Sequence, residues 1–143
     1  MYIKQLSIFL ENRPGRMLEV SRALSEEGIN ILSLCVADTS DYGLLRAVVS
    51  NPERALEILK GKGFSALMTE VLAVKLERKV GELERLLEIL NTGAVNVEYL
   101  YIVNTPAASL VLKVSEPERA AAAMKAAGVE LAGEEIYRLD SVG

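Results

Sequence analysis

The chain is written twice, and the second copy begins with no linker to set it apart. Ser50-Asn51-Pro52-Glu53-Arg54-Ala55 returns 65 positions later as Ser115-Glu116-Pro117-Glu118-Arg119-Ala120, while Gly15 and Asn30 return 66 positions later as Gly81 and Asn96. The odd residue falls between Asn30 and Ser50, where the sequence reads as a turn between strands. So long a period means two copies of a small domain and excludes a solenoid of short repeats. At 143 residues, half of them apolar, each copy can build a core but is marginal alone. The copies are expected to divide the chain at 1–69 and 70–143. Both claim the stretch 68–76, so a strand there is shared or exchanged.

Within the first copy, Leu6, Ile8 and Leu10 alternate with Gln5, Ser7 and Phe9, the period of a strand with one buried face. Asn12-Arg13-Pro14-Gly15 breaks it. Met17, Val20, Ala23 and Leu24 then share one helical face, and Gly28 ends that helix. Residues 29–37 and 44–49 read as strands around a polar turn at 38–43. Asn51 caps the next helix, with Pro52 in its first turn, Glu53 facing the dipole and Leu56 and Leu59 on its apolar side. Gly61-Lys62-Gly63 closes it. The second copy repeats the pattern: Leu83, Leu86, Leu87 and Leu90 line its first helix, and Ala120, Ala123, Met124 and Ala127 its second. Between them run strands at 95–103 and 109–114, and a last strand is expected near Ile136–Leu139. Strand-helix-strand-strand-helix-strand is the split βαβ order of ferredoxin-like folds, here an α+β chain of two βαββαβ repeats.

Composition removes several function classes. There is no histidine, so His-based acid–base catalysis, Ser-His-Asp arrangements and His-ligated metals are absent from the expectations. Cys35, the sole cysteine, lies mid-strand as a buried structural thiol and fits a reducing compartment. A net charge of −4 without a basic cluster argues against nucleic acid. Tyr99 and Tyr101 are too few, on so acidic a chain, for an RNA-stacking sheet. The N-terminus opens directly into strand pattern, and no apolar run reaches membrane-spanning length. The expectation is a cytoplasmic protein that is not an enzyme, with no cofactor, no metal, no membrane and no nucleic-acid partner.

The copies differ at one loop. Glu11-Asn12-Arg13-Pro14-Gly15 stands opposite Glu77-Arg78-Lys79-Val80-Gly81. A strand ending in the first of these, then a helix, then Gly28-Ile29-Asn30-Ile31, resembles the ACT domain, a regulatory amino-acid-binding module. The likeness covers essentially the whole chain, twice. It implies two ferredoxin-like repeats side by side, an antiparallel sheet with helices packed on one face, and a small effector, usually an amino acid, at the pairing interface beside the first loop. It also implies allosteric regulation of a metabolic enzyme or transporter and a homodimer. Carried over residue by residue, Asn12, Pro14 and Gly15 match the loop and Asn30 the start of the second strand. Leu10 stands where several serine-binding relatives carry His, so serine specificity does not transfer.

The chemistry of these residues suits a zwitterion. Amides of Arg16 and Met17 at the helix start attract a carboxylate, and Gly15 lets it approach without a Cβ in the way. Asn12 and Asn30 each offer an amide donor and a carbonyl acceptor. Glu11 and Arg13 are candidates for a charged contact, and Asn96 marks a divergent second site. Every one of these residues also has a structural use: Pro14-Gly15 is a common turn pair, and Asn30 can bond backbone at a helix exit. A ligand-free assembly subunit is therefore the competing reading. Without a linker the copies are expected to tumble as one body. Relaxation measurements giving each copy its own correlation time would contradict this.

Overall fold

The structure, a computed structural model, describes residues 2–38 and 42–138. The first half runs β1 (Ile3–Glu11), α1 (Arg16–Ser25), β2 (Ile31–Asp38), β3 (Tyr42–Val49), α2 (Pro52–Gly61) and β4 (Ser65–Lys75). Next come α3 (Glu82–Thr92), β5 (Val97–Ile102), β6 (Leu110–Val114), α4 (Pro117–Ala126), β7 (Glu130–Ala132) and a 3-10 helix at Glu134–Tyr137. Part of the turn expected at 38–43, and Leu139 of the expected last strand, lie outside the described residues.

The four α-helices among the described residues end in the same way. Ile29, Phe64, Val95 and Val129 donate their N–H to the carbonyls of Leu24, Leu59, Leu90 and Met124, each at 2.9 Å. The residue before each donor is left-handed, with φ of 73° at Gly28, 87° at Gly63, 57° at Ala94 and 80° at Gly128. This geometry satisfies the last carbonyls and drops a buried apolar side chain into the core. The helix starts are also set locally. Asn51 Oδ1 accepts the Arg54 N–H at 3.2 Å with Pro52 beside it, as the sequence indicates, whereas Glu116 in the second copy makes no such cap.

The described chain forms two compact units, divided within β4 between Thr69 and Glu70. Among the described residues, one takes those of Lys4–Thr69 with Tyr137 and Arg138; the other takes Glu70–Ile136 with Tyr2 and Ile3. In the first unit the strand order is β2-β3-β1-β4, antiparallel where β3 meets β1 and β2. Leu6, Ile8 and Leu10 of β1, Leu45 and Val49 of β3, Val20 and Leu24 of α1, and Ala55 and Leu59 of α2 make its core. In the second unit the order is β5-β6-β4-β7, so β4 takes the place of β1 and β7 that of β4. Leu72, Val74, Leu86, Leu90, Leu110, Leu112 and Met124 form its core.

Several sequence expectations are corrected. Gln5 and Ser7 are buried, so β1 is covered on both faces; Gln5 Nε2 donates to Ser7 Oγ at 3.3 Å, and Ser7 Oγ lies 3.4 Å from Thr69 Oγ1. Met17 is exposed because the inward row of α1 is Arg16, Val20 and Leu24, and Leu83 and Leu87 are exposed because the matching row of α3 is Glu82, Leu86 and Leu90. Cys35 is only half-buried, lying on the edge strand β2. The last strand is β7, not Ile136–Leu139: Gly133 turns the chain, its N–H bonding Glu135 Oε1 at 3.0 Å, and Ile136 falls in the 3-10 helix.

Ala94 is the one non-glycine residue with positive φ among those described. Ala94→Gly should raise stability to denaturant by about 0.5–1 kcal/mol, the left-handed penalty relieved less the extra unfolded-state entropy of glycine. A loss of stability would show that Ala94 does not hold this conformation.

Candidate functional site

The loop after β1 is a tight turn built from its own backbone. Glu11 pairs with Tyr42 at the end of the strand, and the Arg13 N–H bonds back to the Glu11 carbonyl at 2.9 Å. Asn12, Arg13 and Pro14 are exposed. Gly15 is the N-cap of α1 with φ of 90°, a left-handed conformation strained for any residue with a Cβ, and its carbonyl accepts the Glu19 N–H at 2.9 Å. No side chain caps this helix. The Arg16 N–H bonds Arg13 O at 3.5 Å, and among the described residues no acceptor meets the amides of Met17 and Leu18. Of the two donors expected from the sequence, Arg16 is thus engaged and Met17 open, with Leu18 open beside it.

Arg16 occupies the inward position of the first turn, its side chain only 16% exposed. Its guanidinium lies 4.4 Å from the Phe64 ring centroid, pairs with Glu19 and reaches Glu11 at 3.8 Å. A cation at a helix N-terminus opposes the dipole, so these carboxylates and the aromatic face hold it there. Its buried Nε has no hydrogen-bond partner. Glu11 Oε2 also accepts from Arg13 Nε at 3.0 Å, and this bond, with the charge of Arg13 next, holds the Glu11 carboxyl below its ordinary value. Phe64 carried no functional signal in the sequence; it read only as the apolar residue after a glycine stop.

The second loop keeps this backbone and reverses the charge. Gly81 is again left-handed, with φ of 92°, and caps α3, but Glu82 stands where Arg16 does, 12% exposed and 3.9 Å from Arg85. The open amides favour a carboxylate at the first helix start, where Arg16 is already matched by Glu11 and Glu19, whereas at the second helix start the Glu82 carboxylate itself takes the corresponding position.

Asn30 does not join the loop of its own copy. Glu11 pairs with Tyr42 and Asp38 with Gly43 at one end of the sheet, whereas Ile31 pairs with Val49 at the other. Asn30 therefore lies a strand length away, about 20 Å at ~3.3 Å per residue. Its N–H bonds Ser50 Oγ at 2.9 Å and its carbonyl accepts the Ser50 N–H at 2.9 Å. Asn96 and Ser115 repeat this lock at 3.0 and 2.9 Å, again at the strand end away from the Glu77–Gly81 loop. Both Asn residues are exposed. The sequence lists Asn12 and Asn30 in one motif, but the register separates them.

Among the described residues there is no group of three or more His, Cys, Asp or Glu side chains suited to a metal ion. No described helix is long and apolar enough to cross a membrane.

The sequence profile of a family described as an ACT domain pair matches residues 1–136. Among solved structures, protein BT0572 of Bacteroides thetaiotaomicron shares 36% identity over 97% of this chain and 98% of its own, with a TM-score of 0.91. The ligand-free regulatory subunit of aspartate kinase from Thermus thermophilus is 19% identical over 87% of this chain and 90% of its own, with a TM-score of 0.63. Its counterpart from Thermus flavus gives 19%, 87%, 90% and 0.57. At such identity the two Thermus proteins share the fold. No curated protein is significantly similar to the chain.

The Glu11 carboxyl should titrate below its ordinary 4.5 in an NMR pH titration. A lowered carboxyl favours the ordered loop above that value and loses this contribution as pH falls through its own midpoint. Arg13→Ala should bring the midpoint back up; an unmoved midpoint would show that Arg13 is not the cause.

Proposed function

The chain belongs to the ACT domain pair family, whose domains are regulatory modules, and on that footing we propose that it senses a free amino acid at its first loop. The observation that carries this reading is the pair of open amides at Met17 and Leu18 beside left-handed Gly15, a place for a carboxylate that in the second copy is faced by the carboxylate of Glu82. Asn12, exposed at the loop, supplies polar atoms for the ammonium end.

The rest of the pocket comes from a second copy of the chain. β2 is an edge strand, and Leu34 and Val36 are 47% and 43% exposed on the side of the sheet that carries Ala47 and Leu45 of the core. Antiparallel pairing through β2 covers this edge, and it sets the Asn30 end of one strand beside the loop end of the other. The two halves of the motif, a strand length apart in one chain, then meet across a two-fold axis. The protein acts without catalysis, in the cytoplasm, through a metabolic enzyme or transporter. Ligand shifts its equilibrium by the difference in affinity between the two states.

A ligand-free regulatory subunit is the second reading, favoured by apolar Val80, Leu83 and Leu87 exposed on and before α3. A thermal-shift screen against free amino acids separates the two. Stabilisation by one or a few is expected, about 2.7 kcal/mol at a hundred times Kd, and lost in Asn12→Ala. A flat response to all of them favours the ligand-free subunit.

A further inference from the structure

A cleft of 490 Å³ opens in the Glu70–Ile136 unit, lined by β4, β6, the start of α4 and Tyr2, all of one unit. The repeat supplies its own comparison for this place. In the first copy Lys4, on β1, reaches the start of α2 and its Nζ pairs with Glu53 Oε1 at 2.6 Å. Glu53 is held below its ordinary carboxylate value, first by this bond from Lys4. The registers match: Leu6 pairs with Ala47 as Leu72 pairs with Leu112, so Glu70 stands where Lys4 does and Glu118 where Glu53 does. The strap that links strand to helix in the first copy has thus lost its ammonium and kept its carboxylate.

Both carboxylates line the cleft, and among the described residues neither has an ion pair or hydrogen bond. The two cations on its wall are already engaged. Lys113 Nζ lies 3.6 Å from Glu98, and Arg119 pairs with Glu116 at 2.9 Å and donates to Gly93 O at 3.3 Å. Leu72 and Leu112 give an apolar floor, and Tyr2 adds an aromatic ring. Two open carboxylates, a ring and an apolar floor suit an ammonium on an alkyl stem.

We propose that this cleft binds a small primary alkylammonium ligand, its charged end between Glu70 and Glu118 in the position that Lys4 Nζ fills in the first copy. The site is independent of the first loop, and nothing in the loop reading is needed for it.

The probe is n-pentylamine, titrated into the full chain and followed by amide chemical shifts, with n-pentanol as the uncharged control. Saturable shifts at Tyr2, Leu112–Val114 and Glu118–Arg119 are expected from the amine and not the alcohol. Glu70→Gln and Glu118→Gln should each weaken binding about tenfold, the loss of one charge-assisted hydrogen bond. Glu70→Lys restores the strap, so it should abolish amine binding and raise the melting temperature. Asn12→Ala should leave amine binding unchanged, which separates this site from the loop. Equal shifts from amine and alcohol, or undiminished amine binding in Glu118→Gln, would overturn the proposal.

Discussion

A β-strand has two edges and one length, and β4 must serve two sheets with both. It is the last strand of the first unit and the first strand of the second, and the boundary falls within it. In its second half both edges are taken, by β6 at Leu72–Val74 and by β7 at Ala73–Lys75. No residue remains for a linker. The entry to the strand is fixed as tightly, because left-handed Gly63 sends Phe64 into the first core, where it underlies Arg16. The helix stop that sets the shared strand thus also places the guanidinium of the candidate site.

The copies keep the same backbone devices and differ in charge. Left-handed Gly15 and Gly81 cap their helices, and Ser50 and Ser115 lock Asn30 and Asn96. The left-handed backbone leaves little choice of residue at Gly15 and Gly81, and the locks need the serine hydroxyls but only the backbone of Asn30 and Asn96. Arg16 becomes Glu82, Lys4 becomes Glu70, and Asn51 becomes Glu116. Each change puts a carboxylate in the second copy where the first has a cation or a neutral cap. One scaffold thus carries two different charge patterns.

The order of elements was legible because its signals are local. Glycine stops, the Asn51 cap and the period of β1 each depend on a few neighbouring residues. What escaped depends on pairing or on helical phase. Alternation in β1 marked one buried face but held no sign that Gln5 and Ser7 on the other are also covered. The row that faces inward in α1 begins with Arg16, a charged residue, so apolar spacing alone points to Met17 instead. Asn30 followed the loop so closely along the chain that only the strand register could show the distance between them. The cleft beside Glu70 was invisible for a related reason: it forms where a residue of the repeat has changed sign, across elements far apart in sequence.

In the proposed dimer each effector site joins the loop of one chain to Asn30 of another. Mixing Asn12→Ala protein with Asn30→Ala protein, after exchange of subunits, tests it directly by calorimetry with the stabilising amino acid. In a mixed dimer one site carries both lesions and the other carries neither, so binding that each variant lacks alone should return in the mixture. A mixture that binds no better than its components would contradict the account.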